Sequence, residues 1–142
     1  MAHLIDAVER TPGIRYVCSQ HEQAAAMAVD AYARVTGGMG AALVTTGPGV
    51  TNLMTGIACL YYDSIPSIFI SGQVSTFRLN DNAPGVRQLG FQEAPHVELV
   101  KPITKYAVLV QDPRKIRFEL EKATHLATTG RPGPVLVDIF DD

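Results

Sequence analysis

The chain has 142 residues, a length that suits one domain with a proper core. Charged residues make up only 18%, against a usual ~25%, so part of the surface is expected to be covered by a partner chain. The formal net charge of −2 gives no reason to expect nucleic acid or an anionic membrane surface as a partner.

No stretch approaches the ~20 apolar residues that a membrane span needs. Met1-Ala2-His3-Leu4-Ile5-Asp6 lacks the basic start and long apolar run of a signal peptide. Cys18 and Cys59 lie in apolar contexts without C-x-x-C spacing, which predicts buried free thiols in a reducing compartment. The expectation is a soluble, cytoplasmic protein.

Ala2 to Arg10 reads as a short helix with Leu4, Ile5 and Val8 on one face, and Thr11-Pro12-Gly13 as a turn. Ile14 to Cys18 predicts a short strand. His21 to Thr36 predicts a helix ended by Gly37-Gly38, with Ala25, Ala28, Val29, Tyr32 and Ala33 facing inward. So many small residues let another helix approach closely. Ala41 to Thr46 is apolar through most of its length, as in a strand buried on both faces. Gly47-Pro48-Gly49 then leads into a helix from about Val50 to Tyr62, and Asp63-Ser64 turns the chain into a strand over Pro66 to Ser71.

Strands and helices that alternate with short connections predict parallel strands and right-handed crossovers. The expected fold is α/β, a three-layer arrangement with a mostly parallel sheet and helices on both faces. Gly72 to Gly90 breaks this rhythm, and an irregular stretch of that length is usually functional or mobile. A short segment, Phe91 to Ala94, and an amphipathic turn or two, Val97 to Val100, follow. Lys105 to Val110 predicts a strand, and Asp112-Pro113 a helix start, with Asp at the N-cap and Pro at N1 of a helix reaching about Thr128. Gly130 to Pro134 is a rigid turn before a closing strand, Val135 to Ile139.

Three places carry candidate chemistry. Glu22 opens a helix just after a strand, at the sheet edge where open α/β folds keep their ligands. Ser19-x-x-Glu22 reads equally well as a capping box. His21-Glu22 does not extend to H-E-x-x-H, because residue 25 is Ala25, and His3, His96 and His125 share no metal-ligand spacing. No metal site built from this chain alone is expected. Gly47-Pro48-Gly49-Val50-Thr51-Asn52 is a glycine turn at a strand-to-helix junction, where a ligand can approach the backbone. It matches neither G-x-G-x-x-G nor the phosphate-binding P-loop, and a plain tight turn with a helix cap fits it as well. Phe91-Gln92-Glu93 closes the long loop and reads as a pocket wall or as an ordinary helix start. Lys105 by itself is most simply a solvated charge at a strand edge.

Together these stretches resemble one family. His21-Glu22-Gln23-Ala24-Ala25-Ala26 with Tyr32-Ala33-Arg34, and then the Thr45 to Asn52 turn, come first. Ser71-Gly72-Gln73-Val74, Gly90-Phe91-Gln92-Glu93 and Thr129 to Val135 follow in the same order. They are similar to the pyrimidine-binding, N-terminal domain of thiamine-diphosphate enzymes, the acetolactate synthase type first and the pyruvate oxidase type next. The resemblance covers almost the whole chain, so residues 1–142 are expected to form one such domain.

The resemblance implies that Glu22 hydrogen-bonds N1′ of the aminopyrimidine and favours its imino tautomer. That nitrogen takes the proton from the thiazolium carbon. The ylide attacks a 2-keto acid, carbon dioxide leaves and the carbanion passes to an acceptor. The carboxyl would need a raised pKa, as an apolar site provides. By the same resemblance Gly47, Pro48 and Asn52 lie near the pyrimidine, while Phe91, Gln92 and Lys105 face the substrate. FAD occurs in some relatives, and nothing in this chain indicates it.

Two departures bear on these expectations. The family's first strand and helix, with a G-x-P-G-type loop, are missing. Gly-Asp-Gly with a later Asn, which holds the diphosphate and Mg²⁺, does not occur. A partner domain or subunit is therefore expected to bind the diphosphate and Mg²⁺, and the chain is expected to be inactive alone and to form a homodimer or higher oligomer. Met27 stands where acetolactate synthases often carry His, and the Ser75 to Gly90 loop is longer than theirs, which blurs the substrate. The alternative is a non-catalytic α/β assembly domain in which Glu22 is only a cap.

Overall fold

The computed structural model describes residues 2 to 142. Its elements in chain order are α1 (Ala2–Arg10), α2 (Glu22–Thr36), β1 (Gly40–Val44), α3 (Pro48–Asp63) and β2 (Ser67–Gly72), followed by α4 (His96–Val100), β3 (Tyr106–Val110), α5 (Ile116–Thr128) and β4 (Pro134–Ile139). The four strands form one parallel sheet in the order β1-β2-β4-β3.

Side-chain alternation along the strands makes two cores. Ala42, Phe69, Leu136 and Ala107 are in register across the sheet and pack on Ala26 and Val29 of α2 and Val50, Leu53, Ile57 and Leu60 of α3. Ile68, Val135 and Val137 point the other way, against Ala123 and Ala127 of α5. The result is an α/β fold with three layers, α2, α3 and α4 on one face and α5 on the other. β2 and β4 are neighbours, while the crossovers leaving β1 and β3 run over opposite faces. That reversal opens a crevice at the carboxyl ends of the two central strands.

The contact between α2 and α3 is close because Gly56 lacks a side chain. A Cβ built there would lie 2.3 Å from the Cβ of Ala26. Gly56→Val is expected to force the helices apart and lower stability by about 1–3 kcal/mol. A shifted urea midpoint with unchanged slope would report it, and a midpoint equal to wild type would contradict the close contact.

Several expectations are corrected. Ile14 to Cys18 is not a strand: all five residues are exposed and none joins the sheet. β-branched and aromatic content signals a fit to a sheet surface, but a strand also needs a neighbour to bond. The capping box does not form. The N-cap of α2 is His21, whose Nδ1 accepts the Gln23 N–H at 3.1 Å, so Glu22 is the first helical residue rather than the fourth position of a box begun at Ser19. The inward face of α2 is Ala26, Val29 and Ala33, while Ala28 and Tyr32 face out. β1 is an edge strand, and only its two end residues are buried. Both cysteines are exposed, Cys59 because α3 turns Leu53, Gly56, Ile57 and Leu60 inward instead. The first turn after Asp112 is a 3₁₀ turn, Pro113–Lys115, with Asp112 capping the Arg114 N–H at 3.1 Å as expected of that pair.

The long loop from Gly72 to Gly90 has its own order. It contains 3₁₀ turns at Thr76–Arg78 and Asn80–Asn82. Glu93 ties it down by accepting the N–H groups of Asn80 (2.7 Å), Leu89 (3.0 Å) and Gly90 (3.2 Å). Burial pushes the Glu93 carboxyl up, and these three donors outweigh it, leaving its pKa below the ordinary value. Among the described residues no helix is long and apolar enough to cross a membrane.

Candidate functional site

α2 and α3 bring Glu22 and Asn52 together. Asn52 Nδ2 donates to Glu22 Oε2 at 3.0 Å, across 30 residues of chain. Glu22 owes its place to the His21 cap, which starts α2 at the carboxyl edge of the sheet. Asn52 lies just past the first turn of α3. That helix begins at the glycine turn: Gly47 is the N-cap, with φ 60° and ψ −115°, and Pro48 follows at N1.

Neither glycine of the turn could carry a side chain freely. A Cβ on Gly47 would sit 2.4 Å from the Gln92 carbonyl oxygen. One on Gly49 would sit 3.2 Å from Thr45 Cγ2 and 3.9 Å from Glu22 Oε1. Thus Gly49 and Asn52 border the Glu22 carboxylate, while Gly47 is packed against the backbone of Gln92.

The Asn52 bond, then the residue's own backbone N–H, hold the Glu22 carboxyl below the ordinary 4.5; burial opposes them weakly. This is opposite to the raised value that the resemblance implies, because Glu22 is only half-buried in this chain. A depressed folded value means that the Asn52–Glu22 bond contributes stability above the ordinary carboxylate pKa and loses it as pH falls through the folded one. In Asn52→Ala the Glu22 carboxyl is expected to titrate at higher pH, read from its side-chain carbon shift by NMR. An unchanged midpoint would contradict the bond.

Phe91 and Gln92 line the other side. Gln92 has φ 59°, a left-handed conformation that few non-glycine residues adopt, and its carbonyl accepts from Thr46 Oγ1 at 3.3 Å. Phe91 is 79% exposed. Phe91 joins Thr45, Thr46, Gln73, Val74 and Arg78 around an open cleft of about 210 Å³. Lys105 is elsewhere. It precedes β3 at the amino edge of the sheet, and its ammonium caps α5 by donating to the carbonyls of Leu126 and Thr129. The structure therefore brings Glu22, Gly47, Pro48, Asn52, Phe91 and Gln92 to one edge and leaves Lys105 at the other. The simple reading of Lys105 as a solvated charge also fails, since its role is a helix cap.

Beneath the glycine turn lies a polar cluster that sequence reasoning missed. His96 and Asp138 are fully buried and paired, Nδ1 to Oδ2 at 3.0 Å. Asp138 also accepts from Ser71 Oγ (2.6 Å) and Gln73 Nε2 (3.2 Å). His96 shares no metal-ligand spacing with the other histidines, so spacing alone does not single it out. The available signal was a polar residue, Asp138, within the apolar run Val135 to Ile139, since a buried acid needs partners. Among the described residues no group of three or more His, Cys, Asp or Glu side chains could hold a metal ion.

Residues 1–99 match the family described as thiamine pyrophosphate enzyme, N-terminal TPP binding domain. The chain belongs to this family. It is 45% identical over 139 residues to the acetolactate synthase isozyme 3 large subunit of Escherichia coli strain K12, covering 98% of this chain and 23% of that protein. It is 42% identical over 139 residues to the acetolactate synthase large subunit of Haemophilus influenzae, with the same coverage. It is 43% identical over 136 residues to the chloroplastic acetolactate synthase of Arabidopsis thaliana, covering 96% of this chain and 19% of that protein. This thiamine pyrophosphate enzyme N-terminal domain thus spans about a quarter or less of the length of these relatives.

Proposed function

We propose that the chain is the pyrimidine-binding half of an acetolactate synthase-like thiamine-diphosphate enzyme. That enzyme decarboxylates a 2-keto acid and passes the remaining carbon unit to an acceptor. The observation that carries this reading is the Glu22–Asn52 pair beside the Gly47-Pro48-Gly49 turn. A carboxylate with one oxygen anchored by an amide, with no side chain on Gly49 standing between it and the start of α3, fits the polar edge of an aminopyrimidine ring.

When bound, thiamine diphosphate supplies a nucleophilic carbon and accepts the electrons released as carbon dioxide departs. The chain's own residues do the rest. Asn52 holds Glu22 Oε2, which aims the carboxyl group into the crevice. Glu22 holds and moves a proton at the ring nitrogen. Covering by a partner would bury this carboxyl and push its pKa up from the depressed value it has here. Gly47 and Pro48 set the start of the helix that carries Asn52 and would lie near the cofactor's pyrimidine. Phe91 and Gln92 stand toward the substrate, with the neighbouring cleft giving it room.

A diphosphate-binding domain or subunit supplies the Mg²⁺ and diphosphate contacts. The cover it provides suits the exposed apolar side chains near the Glu22 end, Val17 at 92% and Met27 at 41% exposure. Self-association of a cytoplasmic enzyme belongs to the same reading.

Calorimetric titration with thiamine diphosphate and Mg²⁺ tests it. The chain alone is expected to show no saturable binding. The chain complemented with the remaining part of the Escherichia coli relative is expected to bind. Tight binding by the chain alone, or none by the complemented assembly, would overturn the half-site reading.

A further inference from the structure

The cluster under the glycine turn has a defined direction. The Gly47 N–H donates to His96 Nε2 at 2.8 Å, out of solvent. A backbone N–H can only donate, so Nε2 is an acceptor and carries no hydrogen. The ring hydrogen is then on Nδ1, 3.0 Å from Asp138 Oδ2. This tautomer agrees with the rest of the cluster. Ser71 Oγ donates to Asp138 Oδ1, and Gln73 Nε2 donates to Oδ2, so the carboxylate accepts three hydrogen bonds. Gln73 is itself fixed in orientation: Nε2 donates to the Ala94 carbonyl at 2.9 Å, and Oε1 accepts the Val74 N–H at 2.9 Å.

We propose that His96 is the positioning residue of the Gly47 turn: Asp138 sets its tautomer, and its Nε2 pins the Gly47 N–H and with it the start of α3. Gly47 makes no side-chain cap for that helix and has a positive φ of 60°; its carbonyl accepts the first helical N–H groups, of Val50 and Thr51, while its own N–H is held by His96. Without Nε2 its buried N–H has no acceptor. The functional consequence rests on the reading given under Proposed function. Pro48 and Asn52 ride on the same helix start, and Asn52 holds Glu22.

Two variants separate the ring's two contacts. In His96→Asn the amide nitrogen replaces Nδ1 and keeps a donor toward Asp138, but nothing reaches Gly47. In His96→Gln the amide oxygen replaces Nε2 and keeps the acceptor. On the ¹⁵N-labelled full chain, wild-type Nε2 is expected at the shift of an unprotonated ring nitrogen and Nδ1 at that of a protonated one. The Gly47 amide is expected to exchange with deuterium at least about tenfold faster in His96→Asn, the scale of one buried donor losing its acceptor. In His96→Gln it stays near wild type.

In the chain complemented as above, His96→Asn is expected to raise KM for thiamine diphosphate by about tenfold or more with little change in kcat, and His96→Gln to restore it. A protonated Nε2, or equal Gly47 exchange in wild type and His96→Asn, overturns the proposal whatever the chain's function. Glu22→Gln in the same assembly separates the two claims. If it keeps turnover, the functional reading fails and the NMR result alone decides His96. If it loses turnover while His96→Asn keeps the wild-type KM, only the positioning proposal fails.

Discussion

Glu22→Gln is expected to lower turnover of the complemented enzyme by about 10²–10⁴-fold, the usual contribution of a well-placed general acid or base. Glutamine keeps the size of the side chain and its acceptor for the Asn52 amide, so the 3.0 Å contact between the helices can persist. What it loses is the ability to hold and return a proton. Thermal stability is therefore expected to stay close to wild type, and so is affinity for thiamine diphosphate. A loss of turnover accompanied by unfolding would not count as support. Wild-type turnover would make Glu22 a helix-start residue and nothing more.

The second large effect concerns stability. Asp138→Ala is expected to destabilise the chain by about 3–5 kcal/mol, the low end of what three buried donors cost when their shared acceptor is removed. The side chain is 1% exposed, so its hydrogen bonds are made out of bulk water. Alanine would leave three donors, on Ser71, Gln73 and His96, facing a cavity. Each orphaned buried donor is worth about 1–3 kcal/mol. Ser71→Ala removes one of those bonds and is expected to cost only about 1 kcal/mol. Urea denaturation of the two variants checks both values. Equal, small losses would show that the cluster is solvated rather than closed.

The fold was largely legible because its core strands carry strong local signals. Ser67–Gly72 and Pro134–Ile139 are apolar runs bounded by turn residues, and they became the two central strands. Ala2–Arg10 and Glu22–Thr36 were legible from apolar periodicity and from Gly37, which ends α2 in the left-handed conformation at φ 67°. Ile14–Cys18 misled because a strand is defined by what it bonds to, and residue type does not report the neighbour. Ser19 misled because a capping box depends on where the helix starts, and His21 supplies a cap two residues later.

The site was legible where chemistry and position coincide, at Glu22 and the glycine turn. It was not legible where long-range contact decides. Lys105 sits beside an edge strand, and only the tertiary structure reveals that α5 ends above it. His96, Gln73 and Asp138 are 23 to 65 residues apart in sequence, and no spacing rule links them. The direction of the Glu22 shift depends on the Asn52 amide, 30 residues further along the chain, and on its outweighing burial, which local sequence does not determine.

If Glu22 moves a proton in activating the cofactor, the effect is read in hydrogen–deuterium exchange at the acidic thiazolium carbon of bound thiamine diphosphate, followed by NMR after rapid quench. In the complemented wild-type assembly exchange is expected to run far faster than for free cofactor. In Glu22→Gln, at equal cofactor occupancy, it is expected to fall back toward the rate in solution. Equal fast exchange in both would mean that the cofactor is activated without this carboxyl group and that Glu22 is only a helix-start residue.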